Sequence, residues 1–285
     1  GHGDTASRGE WTAHNNLWGD GTAVPDRDYR CAILLSDSLP EGCTFVWDTP
    51  GPASAFGGAS VWCYTNMLYG NRYRTREDLA DFPFRVHDLQ ELVLTFDYTA
   101  VFGDDRWKTA LNMFFTDVDT LAPFSGNRGD FFMVFDQVGT WVPPYPDTLV
   151  GDTLILGAPC VMLYRTDSTG YEWRRVIVKD NARIERGAVD LLSLFRRFAE
   201  QGFLDTSQSI ANVQFGVEVT AGFGAVTVNS LGMTRAMKDP AGAASAPDGR
   251  RAAGASVRAR STGWYLSLPR EQDVHFFSLS GRASR

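Results

Sequence analysis

The sequence predicts an all-β fold: an antiparallel two-sheet β-jelly-roll sandwich with a concave groove and one helix. Three observations predict it. Short apolar runs with strand alternation recur along most of the chain, Gly- and Pro-rich turns separate them, and only one stretch carries helical periodicity. The 285 residues, 44% hydrophobic and 13% aromatic, suffice for a large core.

Residues 1–10 are polar and read as a mobile start, one that looks trimmed because it lacks both Met and a signal peptide. Glu10–Gly19 reads as a strand ending in a polar, aromatic tip. Strands follow at Cys31–Leu35 and Cys43–Trp47, then a loop at Thr49–Ser60, a strand at Val61–Gly70 and a charged surface loop at Arg72–Asp81. Leu89–Val101 alternates, with Leu92, Leu94, Phe96 and Tyr98 on one face. Trp107–Thr116 places Ala110, Asn112 and Phe114 together. A loop spans Asp117–Asp130, a strand Phe131–Val138, and a Pro-rich turn Trp141–Asp147. Thr153–Tyr164 and Tyr171–Val178 read as a strand pair around a turn. The helix is Ala188–Gln201, with Val189, Leu192, Phe195 and Phe198 at helical spacing and Gly202 as its stop.

Beyond it, Ile210–Glu218 and Ala225–Met233 are strands. The jelly-roll domain therefore covers residues 11–238. Residues 239–256, rich in Ala, Gly, Pro and Arg, read as a linker. Residues 257–285 read as a short hairpin tail, too small to stand alone.

The net charge of −7 argues against a nucleic-acid partner, and no apolar run is long enough for a membrane span. Cys31, Cys43, Cys63 and Cys160 form no CxxC pair, and the four His are scattered, so no metal or other cofactor is expected. A local Cys31–Cys43 disulfide and buried free thiols are both compatible with the spacing.

One acid stands out. In Gln214-Phe215-Gly216-Val217-Glu218, alternation puts Gln214, Gly216 and Glu218 on one face and Phe215 and Val217 on the other. A carboxylate on a mostly apolar sheet loses hydration, which favours the protonated form that a general acid needs.

Asn15-Asn16-Leu17-Trp18-Gly19, followed by Cys31, resembles the N-terminal signature of glycoside hydrolase family 12, secreted β-jelly-roll endo-β-1,4-glucanases and xyloglucanases. Trp47 falls where those enzymes carry a tryptophan. Gln214–Glu218 with Gly222, Gly224 and Val226 is similar to their acid/base strand. The resemblance implies hydrolysis of internal β-1,4-glucosidic bonds in cellulose-like, mixed-linkage or xyloglucan chains by a secreted monomer. It also implies Glu218 as acid/base, and Trp18, Asn16, Trp47 and Asn112 as residues that meet the sugar.

The nucleophile strand departs from the family pattern. In Gly129-Asp130-Phe131-Phe132-Met133, one alignment puts Phe131 at the nucleophile position and another Phe132; only a shifted register offers an acid, Asp130. Asn112 stands where the family has an Asp that contacts the nucleophile. Three outcomes stay open: Asp130 as nucleophile, an inverting pair of Glu218 with Asp130 or Asp136, or a groove that binds glycan without cleaving it. A glycan hydrolase with relocated acids is a further alternative. Residues 263–282 resemble the opening strands of C-terminal sorting domains of secreted bacterial enzymes, which would make the tail a stump of such a domain.

Overall fold

A computed structural model of the chain describes residues 4–70, 82–103, 106–117, 127–138, 147–180 and 182–238. The expected loop at Arg72–Asp81, most of the Trp141–Asp147 turn, the linker and the tail lie outside the described residues.

Among those residues the strands run as follows: β1 (Thr5–Arg8), β2 (Trp11–His14), β3 (Arg30–Leu34), β4 (Thr44–Thr49), β5 (Cys63–Gly70), β6 (Phe84–Arg85), β7 (Leu89–Phe102), β8 (Trp107–Thr116), β9 (Asn127–Val138), β10 (Thr148–Ile155), β11 (Ala158–Thr166), β12 (Glu172–Val178) and β13 (Arg186–Asp190). The helix α1 (Leu191–Glu200) follows, then β14 (Ser209–Val219) and β15 (Gly222–Met237). They form two sheets. The larger has the order β1-β2-β5-β14-β8-β9-β12-β11-β10, with β6 added to the end of β14; the smaller has the order β13-β7-β15-β4-β3. Every pairing is antiparallel except β9 with β12. The jelly-roll sandwich is therefore the observed fold.

The core lies between the sheets and is strongly aromatic. Leu92, Leu94, Phe96 and Tyr98 of β7 are buried, the face that alternation had assigned. Phe96 meets Phe135 of β9 at 4.5 Å between ring centroids and Phe215 of β14 at 6.0 Å. The helix covers the inner face farther along, where Phe195 meets Phe115 and Phe131 edge-on.

Four local expectations change. Residues 5–8 are not a loose start: they pair with β2 through a tight turn at Gly9, whose φ of 59° suits glycine. The stretch Thr153–Tyr164 is the two arms of a hairpin, reversed at Leu156 and Gly157 with φ of 51° and 85°. The helix begins at Leu191, because the Asp190 side chain accepts the Ser193 N–H and caps it; Ala188 and Val189 belong to β13. The strand expected at Phe131 starts at Asn127, which moves Asp130 from a loop onto the sheet. All four cysteines are free and buried, and the thiol beside Cys31 is Cys63, not Cys43.

Candidate active site

The outer face of the larger sheet, the side turned away from β7 and β15, carries the polar residues the sequence singled out. Registers fix which side chains share it, since directly paired residues point the same way. On β14, Glu218 faces Tyr64 of β5 on one side and Lys108 of β8 on the other. Gly216 pairs with Asn66 and Ala110, and Gln214 pairs with Leu68 and Asn112. Across β8, Asn112 pairs with Phe132 and Phe114 with Asp130. Asp130, Phe132, Asn112, Lys108 and Glu218 therefore share one surface.

The floor of this surface is dry. Asn66, Lys108, Ala110, Asn212 and Gln214 are buried, although they point away from the core between the sheets. The Tyr64 hydroxyl lies 2.8 Å from the Gln214 carbonyl and 3.0 Å from that of Ala110, so it donates to either. To reach them the ring crosses β14 between Glu218 and Gln214, where Gly216 offers no side chain. Burial, and then the charge of Glu218, pushes the Tyr64 hydroxyl well above its usual range, so it acts as a donor and not as an acid. Gly216 is also required by its neighbour strand: a Cβ there would lie 2.1 Å from the Thr65 carbonyl oxygen and 2.7 Å from Asn66 Cβ.

Glu218 has a countercharge that the sequence reading missed. Lys108 Nζ lies 2.7 Å from its Oε1, with the two side chains 7% and 18% exposed. The same ammonium sits 5.3 Å from the centroid of the Phe132 ring. Alternation from Asn112 back through Ala110 leads to Lys108, so its face was legible; that it lies opposite Glu218 was not.

Asp130 is a different kind of acid. Burial pushes its carboxyl up to about 7, and the charge of Glu218 pushes the same way, against Arg175, Arg174 and a hydrogen bond from Tyr171. Its Oδ1 is shielded from water and accepts no hydrogen bond. The Oδ1 atoms of Asn66 and Asn112 are in the same state, so three unpaired acceptors share this face. Trp173 of β12, which pairs with Asp130, adds an aromatic ring next to it. Arg165 covers that ring at 4.5 Å, and Tyr171 packs on it at 4.7 Å. Neither Trp173 nor Tyr171 was singled out from the sequence.

Of the expected site residues, Glu218, Asp130 and Asn112 come together on the outer face. Asn16 and Trp18 join its Glu218 end: Leu17 bridges to Cys63 and is buried, which turns its neighbours outward. The Asn16 carbonyl accepts from the Tyr64 N–H at 3.0 Å, and Trp18 is 50% exposed.

Trp47 does not belong to this site. It is 3% exposed, lies on β4 of the smaller sheet and packs on Trp107 at 5.4 Å, inside the sandwich. Asp136 is excluded too. A bulge between the pairs Thr109–Asp136 and Ala110–Val134 turns it inward, where it pairs with Arg183 at 2.8 Å. The register also separates the two nucleophile alignments. Phe131 faces α1 in the core, while Phe132 is the residue opposite Asn112.

No protein-family model matches the chain, and no curated protein matches it significantly. Solved structures do. A family 12 xyloglucanase from Bacillus licheniformis superposes with a TM-score of 0.67 at 16% identity, over 83% of this chain and 98% of that one. Endoglucanase cel12A from Rhodothermus marinus gives 0.63 at 17% identity, over 83% and 98%. Endoglucanase 3 of Trichoderma harzianum, from family GH12, gives 0.62 at 17% identity, over 81% and 94%. The jelly roll described above is thus the fold of these family 12 structures, nearly end to end.

Proposed function

We propose that the protein is a glycoside hydrolase that cleaves internal β-1,4-glucosidic bonds of a glucan, with Glu218 and Asp130 as its two carboxylates. The observation that carries this reading is their shared position. They lie on one dry sheet face, close enough that the charge of Glu218 raises the carboxyl of Asp130. Two acids in unlike environments are the equipment that glycosidic cleavage needs, one to protonate the leaving oxygen and one to meet the anomeric carbon or its water.

The surroundings suit a sugar chain. Trp18 offers an exposed ring for the apolar face of a glucosyl unit, next to Asn16. The unpaired oxygens of Asn66 and Asn112 are acceptors for hydroxyl groups. The likeness in fold to structures named as xyloglucanases and endoglucanases supports cellulose-like, mixed-linkage or xyloglucan chains as the substrate class. Such polymers are met outside the cell, so we place the protein there as a secreted monomer.

A second reading has its own observation. Phe132, an aromatic ring with no acid chemistry, stands opposite Asn112, where the sequence resemblance calls for a nucleophile. A groove so altered would bind glucan without cutting it. Incubation with barley β-glucan, xyloglucan and carboxymethyl cellulose separates the two. New reducing ends support the hydrolase, and retention on the polymers with no new ends supports the binding protein.

A further inference from the structure

We infer that the two acids divide the work in the reverse of the sequence expectation: Asp130 is the proton donor, and Glu218, paired with Lys108, is the carboxylate that meets the anomeric carbon. This rests on the hydrolase reading above and adds to it which acid does what.

The geometry at each acid carries the assignment. Glu218 sits 2.7 Å from an ammonium that is itself buried. A desolvated Lys⁺ facing a neutral acid would be an uncompensated buried charge, which is the costly arrangement; the pair is stable as Lys⁺ with carboxylate⁻. The Lys108 ammonium holds one oxygen of Glu218 and leaves the other to meet the anomeric carbon.

Asp130 has the opposite surroundings. It makes no ion pair among the described residues, and its Oδ1 is shut off from water without any donor. A carboxylate leaves such an oxygen unsatisfied at the cost of a buried charge, whereas the neutral acid carries its own O–H. The charged and polar groups around it are Arg175 of β12 on the same face, Arg174 of β12 from the inner side of the sheet, Tyr171 before β12, and Glu218 across β8. The two guanidiniums are already engaged, Arg175 with Asp147 and Arg174 with Glu172 and the Phe203 carbonyl. Their pull on Asp130 is thereby blunted, in agreement with a carboxyl pushed up to about 7.

The step balances. The proton of Asp130 passes to the glycosidic oxygen as the C1–O bond breaks, and the departing chain leaves as an alcohol. An oxygen of Glu218 bonds to C1 and forms a glycosyl ester. Water then attacks C1, gives its proton to the Asp130 carboxylate and frees Glu218. In the ester state the negative charge has moved from Glu218 to Asp130, so the net charge of the site, Lys108 included, is conserved throughout.

Leaving-group dependence tests the division. Asp130→Asn and Glu218→Gln, each checked for native circular dichroism, are assayed on β-glucan and on 2,4-dinitrophenyl β-cellobioside, whose leaving group departs without protonation. General acid catalysis contributes about 10²–10⁴-fold. Asp130→Asn is therefore expected to lose about that much on the polymer while kcat/KM for dinitrophenolate release, which reports the first step alone, stays within about tenfold of wild type; its kcat falls, because the second step still needs Asp130 as base. Glu218→Gln is expected to lose activity on both. The assignment is overturned if Glu218→Gln spares the aryl substrate while Asp130→Asn loses both, or if either variant hydrolyses the polymer at the wild-type rate. A wild-type protein inert on both substrates removes the hydrolase reading, and the assignment with it; activity with the wrong pattern removes only the assignment.

Discussion

Lys108 Nζ and Glu218 Oε1 lie 2.7 Å apart across the β8–β14 register, on the outer face of the larger sheet. The pair sets the electrostatics of the site, because a carboxylate in a dry wall is tolerated only with a partner. Breaking such a pair from one side costs about 3–5 kcal/mol. Lys108→Met is therefore expected to lower unfolding free energy in urea by about 3 kcal/mol. Adding Glu218→Gln should restore most of that loss. Additive losses in the double mutant would show that the two side chains do not stabilise each other.

Asp130 makes the stability of the fold depend on pH. Its folded-state carboxyl sits near 7, above the ordinary Asp value of about 3.9. The folded state therefore holds this proton more tightly than the unfolded state. The contribution of Asp130 to stability is fully present below about pH 4, is lost as pH rises to about 7, and is constant above that. The span corresponds to no more than about 4 kcal/mol. Asp130→Asn should flatten this part of the curve of unfolding free energy against pH between 4 and 7. An unchanged curve would mean that Asp130 titrates as an ordinary surface acid.

The two tryptophans expected in the groove should separate cleanly. Trp18 is half exposed at the Glu218 end of the face, whereas Trp47 is enclosed against Trp107. Trp18→Ala should weaken retention in β-glucan affinity gels and leave the melting temperature nearly unchanged. Trp47→Ala should destabilise the fold by about 3–5 kcal/mol. Equal melting temperatures for the two variants would contradict this placement.

Gly216 tests the close approach of β5 to β14. A methyl group there meets the Thr65 carbonyl oxygen at 2.1 Å, a backbone atom that cannot rotate away. Gly216→Ala is expected to cost about 1–3 kcal/mol of stability by urea unfolding. It should also disturb the hydroxyl of Tyr64 over the adjacent backbone. A neutral effect would mean that the two strands separate easily.

Much of this was legible in the sequence, for reasons particular residues show. Period-two alternation put Leu92 to Tyr98 on the inner face and Gln214, Gly216 and Glu218 together on the outer one, since burial on one side leaves no freedom in phase. The helix was legible from Leu192, Phe195 and Phe198, but its start was not, because Asp190 acts through a cap that only the backbone path reveals. Pairing between distant strands was not legible either. Nothing local says that Lys108 will face Glu218, or that Phe132 will face Asn112. Trp47 was misplaced because the resemblance assigned it by its place along the chain, which fixes neither the sheet its strand joins nor the side to which the ring turns. The turn at Leu156 escaped because leucine seldom adopts positive φ.

If the outer face of the larger sheet cuts a β-1,4-linked glucan with Glu218 and Asp130, as proposed, removing both carboxyls must abolish cleavage. The most direct measurement is release of reducing ends from barley β-glucan by the wild-type protein and by the double variant Glu218→Gln, Asp130→Asn. Steady release of oligosaccharides by the wild type, and none by the double variant with its fold intact, is the predicted result. Equal release by the two proteins, or none by the wild type on any β-1,4-glucan, would contradict it.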